Sequence, residues 1–189
     1  MEAELLSVGT ELLIGQVVDT NAAYLGQKLA AIGIDVTLKT TVGDDLGRVS
    51  WAMSEALERC PLVVSTGGLG STHDDLTAEA VAHATGRELQ FHSPSFERIR
   101  AFLERIGRPH LATDQQRKQA MIPRGATVID NPIGTAPGFI VESSGSTLCV
   151  LPGIPAEMRA MTERTVLPWL CQRHPDGLRH CWRTGCARW

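Results

Sequence analysis

The first 85 residues alternate between two hydrophobic periods, and that alternation limits the folds open to the chain. Glu4-Leu5-Leu6-Ser7-Val8 reads as a short strand closed by Gly9. Tyr24, Leu25, Leu29 and Ile32 follow at helical spacing, with Asp19 or Thr20 as cap and Gly33 as stop. Ile34, Val36, Leu38, Thr40 and Val42 return to the two-residue period of a strand. Leu46, Val49, Met53 and Leu57 predict a helix over 45–59, Leu62–Ser65 a buried strand, and residues 76–85 a third helix. A β-α-β-α-β-α series of this kind predicts an α/β fold of three layers, a mostly parallel sheet between helices.

The second half is less regular. Ser93-Pro94 reads as a helix entry, Ser as cap and Pro at the first helical position, with Phe96, Ile99, Leu103 and Ile106 as the buried stripe. A short helix is expected around 114–121 and a strand at Thr127–Ile129. Residues 139–142 and 147–151 flank Ser144-Gly145 as a short β-hairpin, and a last helix is expected over 156–170. After that the pattern breaks. Three of five cysteines and two of four tryptophans fall in 171–189. His174, His180, Cys181 and Cys186 match no ordinary zinc spacing, so a poorly ordered tail is expected. The chain thus reads as a domain over 1–170 and an atypical tail over 171–189. A change of reading frame near residue 171 would account for the break, and the downstream DNA in the other two frames tests it.

Composition excludes several classes. A net charge of -3 with no basic stripe argues against direct nucleic-acid binding. The apolar runs are too short to cross a bilayer, and the acidic start Met1-Glu2-Ala3-Glu4 lacks the layout of a secretory signal. An odd cysteine number at irregular spacing forms no disulfide framework. A cytoplasmic location is the expectation.

Chemistry concentrates in Thr66-Gly67-Gly68-Leu69-Gly70-Ser71-Thr72-His73-Asp74-Asp75, a strand-to-helix turn. Its glycines let a ligand approach the backbone closely, and Ser71 and Thr72 add hydroxyl donors. Asp74 and Asp75 are hard oxygen ligands for a divalent cation such as Mg. A phosphate cradle beside paired carboxylates suits a nucleotide or phosphate-ester site. The alternative is a glycine turn with an acidic helix start, in which Asp75 only caps the helix. Three further segments are expected at the same sheet edge: Ser7–Gly15 with Glu11, the loop Asn131–Gly138, and Leu151–Met158. Glu11 is a candidate second ligand or general base. Asn21, Gly134, Thr135, Gly138, Pro152, Gly153 and Glu157 are candidate ligand contacts, each with a structural alternative as cap, turn or helix-start residue. Lys118 reads as a solvated surface lysine able to neutralise a phosphate, and His73 as exposed.

The segments SVGTELLIGQVVDTNAAYL (7–25), TTVGDD (40–45), TGGLGSTHDDLT (66–77), RKQAMIPRGATV (117–128), NPIGTAPGF (131–139) and LPGIPAEM (151–158) resemble the N-terminal domain of the competence/damage-inducible CinA family. That domain is similar to the molybdopterin-binding proteins MogA and MoaB. The resemblance implies a molybdopterin-binding-like fold, a homo-oligomer, and a metal-dependent pyrophosphatase activity that splits ADP-ribose into AMP and ribose 5-phosphate. Molybdopterin binding or adenylyl transfer is the alternative enzyme reading, and a noncatalytic nucleotide- or pterin-binding module the third. The family's separate amidase domain has no counterpart after Leu170, so deamidation of nicotinamide mononucleotide is not expected from this chain. Ser71 departs from the proline usual at that place in the loop.

Overall fold

A computed structural model describes residues 1–173. Its order is β1 (Glu2–Val8), α1 (Thr10–Leu13), α2 (Thr20–Ala31), β2 (Asp35–Val42), α3 (Leu46–Arg59), β3 (Leu62–Thr66) and α4 (Thr77–Thr85). Then come β4 (Leu89–Phe91), α5 (Ser93–Arg105), a 3-10 turn at Pro109–Leu111, α6 (Asp114–Gln119), β5 (Met121–Pro123) and β6 (Thr127–Ile129). β7 (Gly138–Ser143), β8 (Ser146–Leu151), α7 (Pro155–Met161), a π-helical turn at Thr162–Val166 and α8 (Leu167–Arg173) complete it.

Six strands form one sheet in the order β2-β1-β3-β8-β7-β6. β2, β1, β3 and β8 are mutually parallel, and β7 runs antiparallel to both its neighbours. The parallel strands finish together, since Thr41, Ser7, Thr66 and Leu151 lie in one row across the sheet. Alternation along the strands supplies two cores. Leu6, Val8, Val63 and Phe139 meet α3 and α4 on one face, while Leu5, Leu62, Val64 and Ile140 meet α2, α7 and α8 on the other. Each such side chain contributes about 1.5–3 kcal/mol when fully buried. The three-layer reading holds.

Caps fix where the helices start. Asp19 accepts from the Ala22 amide at 2.9 Å and Asp45 from the Arg48 amide at 2.9 Å. Gly86, left-handed at φ 63°, ends α4. Ser144 and Gly145, both at positive φ, make the two-residue turn of the β7–β8 hairpin.

Several boundaries differ from the sequence reading. Ser93 is the first residue of α5, and His92 caps it, its Nδ1 accepting from the Ser95 amide at 3.2 Å. The helix expected over 114–121 stops at Gln119, because Met121 begins β5 and pairs with Phe91 of β4. This two-stranded sheet carries no period of its own in three-residue strands, so the pattern missed it. The last helix is interrupted by the π turn and runs to Arg173. The cysteine- and tryptophan-rich stretch, with His174, His180, Cys181 and Cys186, lies outside the described residues. Among the described residues no helix is long and apolar enough to cross a membrane.

Candidate functional site

Where the parallel strands end, their turns enclose a cavity of about 360 Å³. That is within the range of small-molecule sites. Gly9 from the end of β1, Asp44 from the end of β2, Gly67 and Gly68 after β3, and Gly153 after β8 all line it. Glu11, Asp19, Asn21, Asp74 and Asp75 join them, and Leu12, Val17 and Val18 add apolar wall. Val18 is 81% exposed.

The backbone is held by buried polar side chains. Thr66 Oγ1 donates to the Pro152 carbonyl at 2.9 Å and accepts from Asn21 Nδ2 at 3.1 Å. The same amide donates to the Gly153 carbonyl at 2.8 Å, so one side chain from α2 ties β3 to the turn after β8. Asn21 Oδ1 is buried without a hydrogen-bond partner among the described residues. Thr77 Oγ1 donates to the Gly67 carbonyl at 2.8 Å. Gly67 itself is obligatory: its φ is +106°, and a Cβ there would lie 2.1 Å from the Val8 carbonyl oxygen.

The carboxylates differ in how they are held. Asp44 Oδ2 accepts from both the amide and the hydroxyl of Thr10 at 2.8 Å. Asp75 Oδ2 accepts from the Thr72 amide at 2.8 Å and its hydroxyl at 2.6 Å. Asp75 therefore closes the glycine loop on itself instead of capping α4, whose cap residue is Leu76. Lys118 Nζ donates to the Thr72 carbonyl at 2.7 Å, so this lysine braces the loop from α6. Glu11 folds back over Gly9. Burial pushes the Asp19 carboxyl up, but hydrogen bonds from Ser7, Ala22 and Lys39 outweigh it and leave the group below its ordinary value.

The expected residues separate into two groups. Glu11, Asn21, Gly67, Gly68, Asp74, Asp75 and Gly153 share the cavity. Gly70 lines a smaller adjoining depression. Ser71 faces Gln116, with Oγ 3.5 Å from its Nε2, and Thr72 is engaged by Asp75. His73 is exposed. The loop after β6 does not join the cavity. Gly134 and Thr135 border a separate shallow depression with Arg98 and Asp130, and Gly138 is a buried first residue of β7. Glu157, buried at the start of α7, receives Asn131 Nδ2 at 2.7 Å, and a Cβ on Gly134 would meet its Oε1 at 2.2 Å. Burial raises its carboxyl, the Asn131 hydrogen bond partly offsetting this. Pro152 is buried and contributes its carbonyl to Thr66. Sequence reasoning passed over Asp44 and Thr10 as site residues; the signal was Gly43-Asp44 standing directly after a strand of the same parallel set.

A family model described as "Probable molybdopterin binding domain" matches residues 4–172. A CinA-like protein of Kosmotoga olearia is 49% identical over 170 residues, 90% of this chain and 41% of that protein. The chain thus spans about two fifths of the length of such a relative. The crystal structure of a CinA protein of unknown function from Thermoplasma acidophilum is 41% identical, with a TM-score of 0.79 over 86% of this chain and 94% of that one. The molybdopterin biosynthesis enzyme MoaB of Thermus thermophilus, 20% identical, shares the fold at a TM-score of 0.63 over 94% of this chain and 96% of its own. With its cavity walled by the turns of a MogA/MoaB-like sheet, the chain belongs to the molybdopterin-binding domain family, in the CinA group.

Proposed function

We propose that this domain binds a phosphate ester of a pterin or nucleoside together with a divalent cation, and that its chemistry is at the phosphorus. The observation that carries this reading is the composition of the cavity. Glycine backbone faces Glu11, Asp44, Asp74 and Asp75, and no Lys or Arg is among the described lining residues. Phosphate entering such a field is repelled unless a cation enters with it. Mg²⁺ keeps several waters and binds through one or two carboxylates plus the ligand's phosphates. The residues fit that demand. Among the described residues no three His, Cys, Asp or Glu side chains are gathered to hold a metal by themselves, so the ligand's phosphates would have to supply part of the coordination. Asp74 or Asp75 would hold the ion, directly or through water, with Glu11 as a further ligand. A bound divalent cation polarises a phosphoryl oxygen and lowers the pKa of a coordinated water.

The chain's own groups do the positioning. Gly67 and Gly68 admit the phosphate against bare backbone, and Asn21 and Thr66 keep the two neighbouring turns in register. Thr10 and Thr72 orient the carboxylates of Asp44 and Asp75, leaving one oxygen of each free of these hydrogen bonds. Glu11, not buried, is placed to accept a proton from an attacking group.

Molybdopterin binding or adenylyl transfer is the leading form of this function, supported by the family description and the MoaB-like fold. Hydrolysis of ADP-ribose to AMP and ribose 5-phosphate is the second, supported by the CinA kinship over most of the chain. Purified protein incubated with Mg²⁺ and either ATP plus molybdopterin or ADP-ribose separates them, with products resolved by chromatography. Pterin-dependent pyrophosphate release supports transfer, and AMP from ADP-ribose alone supports hydrolysis. Binding with neither turnover removes catalysis and leaves a ligand-binding module.

A further inference from the structure

The glycine loop is anchored at its two ends and held from outside in its middle. At the base, the Gly67 amide donates to the Leu151 carbonyl at 3.1 Å and the Thr77 amide to the Gly68 carbonyl at 3.0 Å. Between these anchors the turn from Thr72 to Asp75 is closed by its own hydrogen bonds. Among the described residues, every other hydrogen bond of residues 69–75 goes to α6. Gln119 Nε2 donates to the Leu69 carbonyl at 3.4 Å, and Gln116 Nε2 to Ser71 Oγ at 3.5 Å. Lys118 Nζ donates to the Thr72 carbonyl at 2.7 Å and to the His73 carbonyl at 3.4 Å. α6 is backed by a small core of Ile99, Leu103 and Ala120, apart from the two that sandwich the sheet, and Arg117 lies 4.1 Å over the Phe91 ring.

Asp74 depends on this hold. It lines the cavity, yet its side chain makes no hydrogen bond or ion pair among the described residues, so its backbone alone places it. The His73 carbonyl directly before it and the Thr72 carbonyl that opens the turn are the two that Lys118 engages. An ammonium has three donors and can serve both, and a bond from a charged donor is stronger than one from a neutral amide. Gln116 and Gln119 make the longer, neutral bonds, so the lysine carries most of the hold. Lys118 is not among the residues that line the main cavity. On the reading that Asp74 or Asp75 holds a divalent cation, we infer that Lys118 is a positioning residue: acting through the loop backbone, it sets where the two carboxylates stand and so how tightly the cation is bound.

Two variants test this. Lys118→Met keeps the length of the side chain and removes its donors, whereas Lys118→Arg keeps charge and donors. AMP is titrated calorimetrically into each protein over a series of MgCl₂ concentrations, and hydrogen exchange of the 69–75 amides is followed without ligand. Lys118→Met should exchange faster across the loop and need about 10-fold more Mg²⁺ for half-maximal affinity, the size expected when the support of a metal-binding carboxylate is lost. Excess Mg²⁺ should then restore its AMP affinity, and Lys118→Arg should return most of the way to the unaltered Mg²⁺ requirement. A lysine that only stabilised the fold would weaken AMP at every Mg²⁺ concentration. An unchanged Mg²⁺ requirement in Lys118→Met, or a loss of affinity that excess Mg²⁺ does not restore, overturns the role while leaving the reading of the cavity standing. If the unaltered protein binds AMP equally with and without Mg²⁺, or not at all, the cation reading falls and this role with it.

Discussion

The glycine loop after β3 and the proline-rich loop after β6 leave the same edge of the sheet, yet only the first lines the cavity. β6 points the same way as β3, because β7 reverses direction between β6 and β8. What separates the loops is lateral position. β6 is three strands from β3 in the order of the sheet, about 14 Å at the usual strand spacing. The two loops consequently use similar residues for different ends. Gly67 clears space against the Val8 backbone for a cavity-facing turn, and Gly134 clears space for the buried Glu157 of α7, which accepts a hydrogen bond from Asn131 of the same loop.

Gly67→Ala and Gly134→Ala test that contrast most strongly. The first must strain backbone against backbone, so it should cost about 3 kcal/mol in urea unfolding and abolish ligand binding. The second displaces only a side chain, so about 1–2 kcal/mol is expected with cavity binding unchanged. Equal penalties would break the comparison. Between the carboxylates, Asp74→Asn or Asp75→Asn should lower turnover on the order of 100-fold, about 2.7 kcal/mol of barrier, with the fold intact by circular dichroism. Glu157→Gln should leave turnover unchanged; unaltered rates in both aspartate variants would remove the metal proposal. The smallest effect is a pH effect. Burial lifts the Glu157 carboxyl in the folded protein, so its ionisation opposes folding. As pH rises from the ordinary glutamate value to the raised one, the native protein should lose stability relative to Glu157→Gln, and urea midpoints across that window measure it. A constant difference would show that the group is not shifted.

Much of this architecture was legible because long periodic segments were. The first two expected helices each carry four apolar residues at helical spacing, the second expected strand five alternating positions, and the first and third strands short apolar runs, and together they fix the direction of the sheet. Direction alone assigns turns to an edge. It does not give the order of strands across the sheet, so Gly134, Thr135 and Gly138 were grouped with Gly68 and Glu11. Asp44 escaped notice for a related reason: its role depends on Thr10, 34 residues away, and on the pairing of β1 with β2. Lys118 read as solvated because its partner is a carbonyl of the glycine loop, 46 residues distant.

An acidic, glycine-walled cavity should accept phosphate only in company with a divalent cation. Calorimetric titration of AMP into the protein, once with MgCl₂ and once with EDTA, measures this directly. Saturable binding with magnesium and at least about a 10-fold loss of affinity without it is the expected result. Equal affinity in both buffers would contradict the claim, because the carboxylates would then not be what the ligand meets.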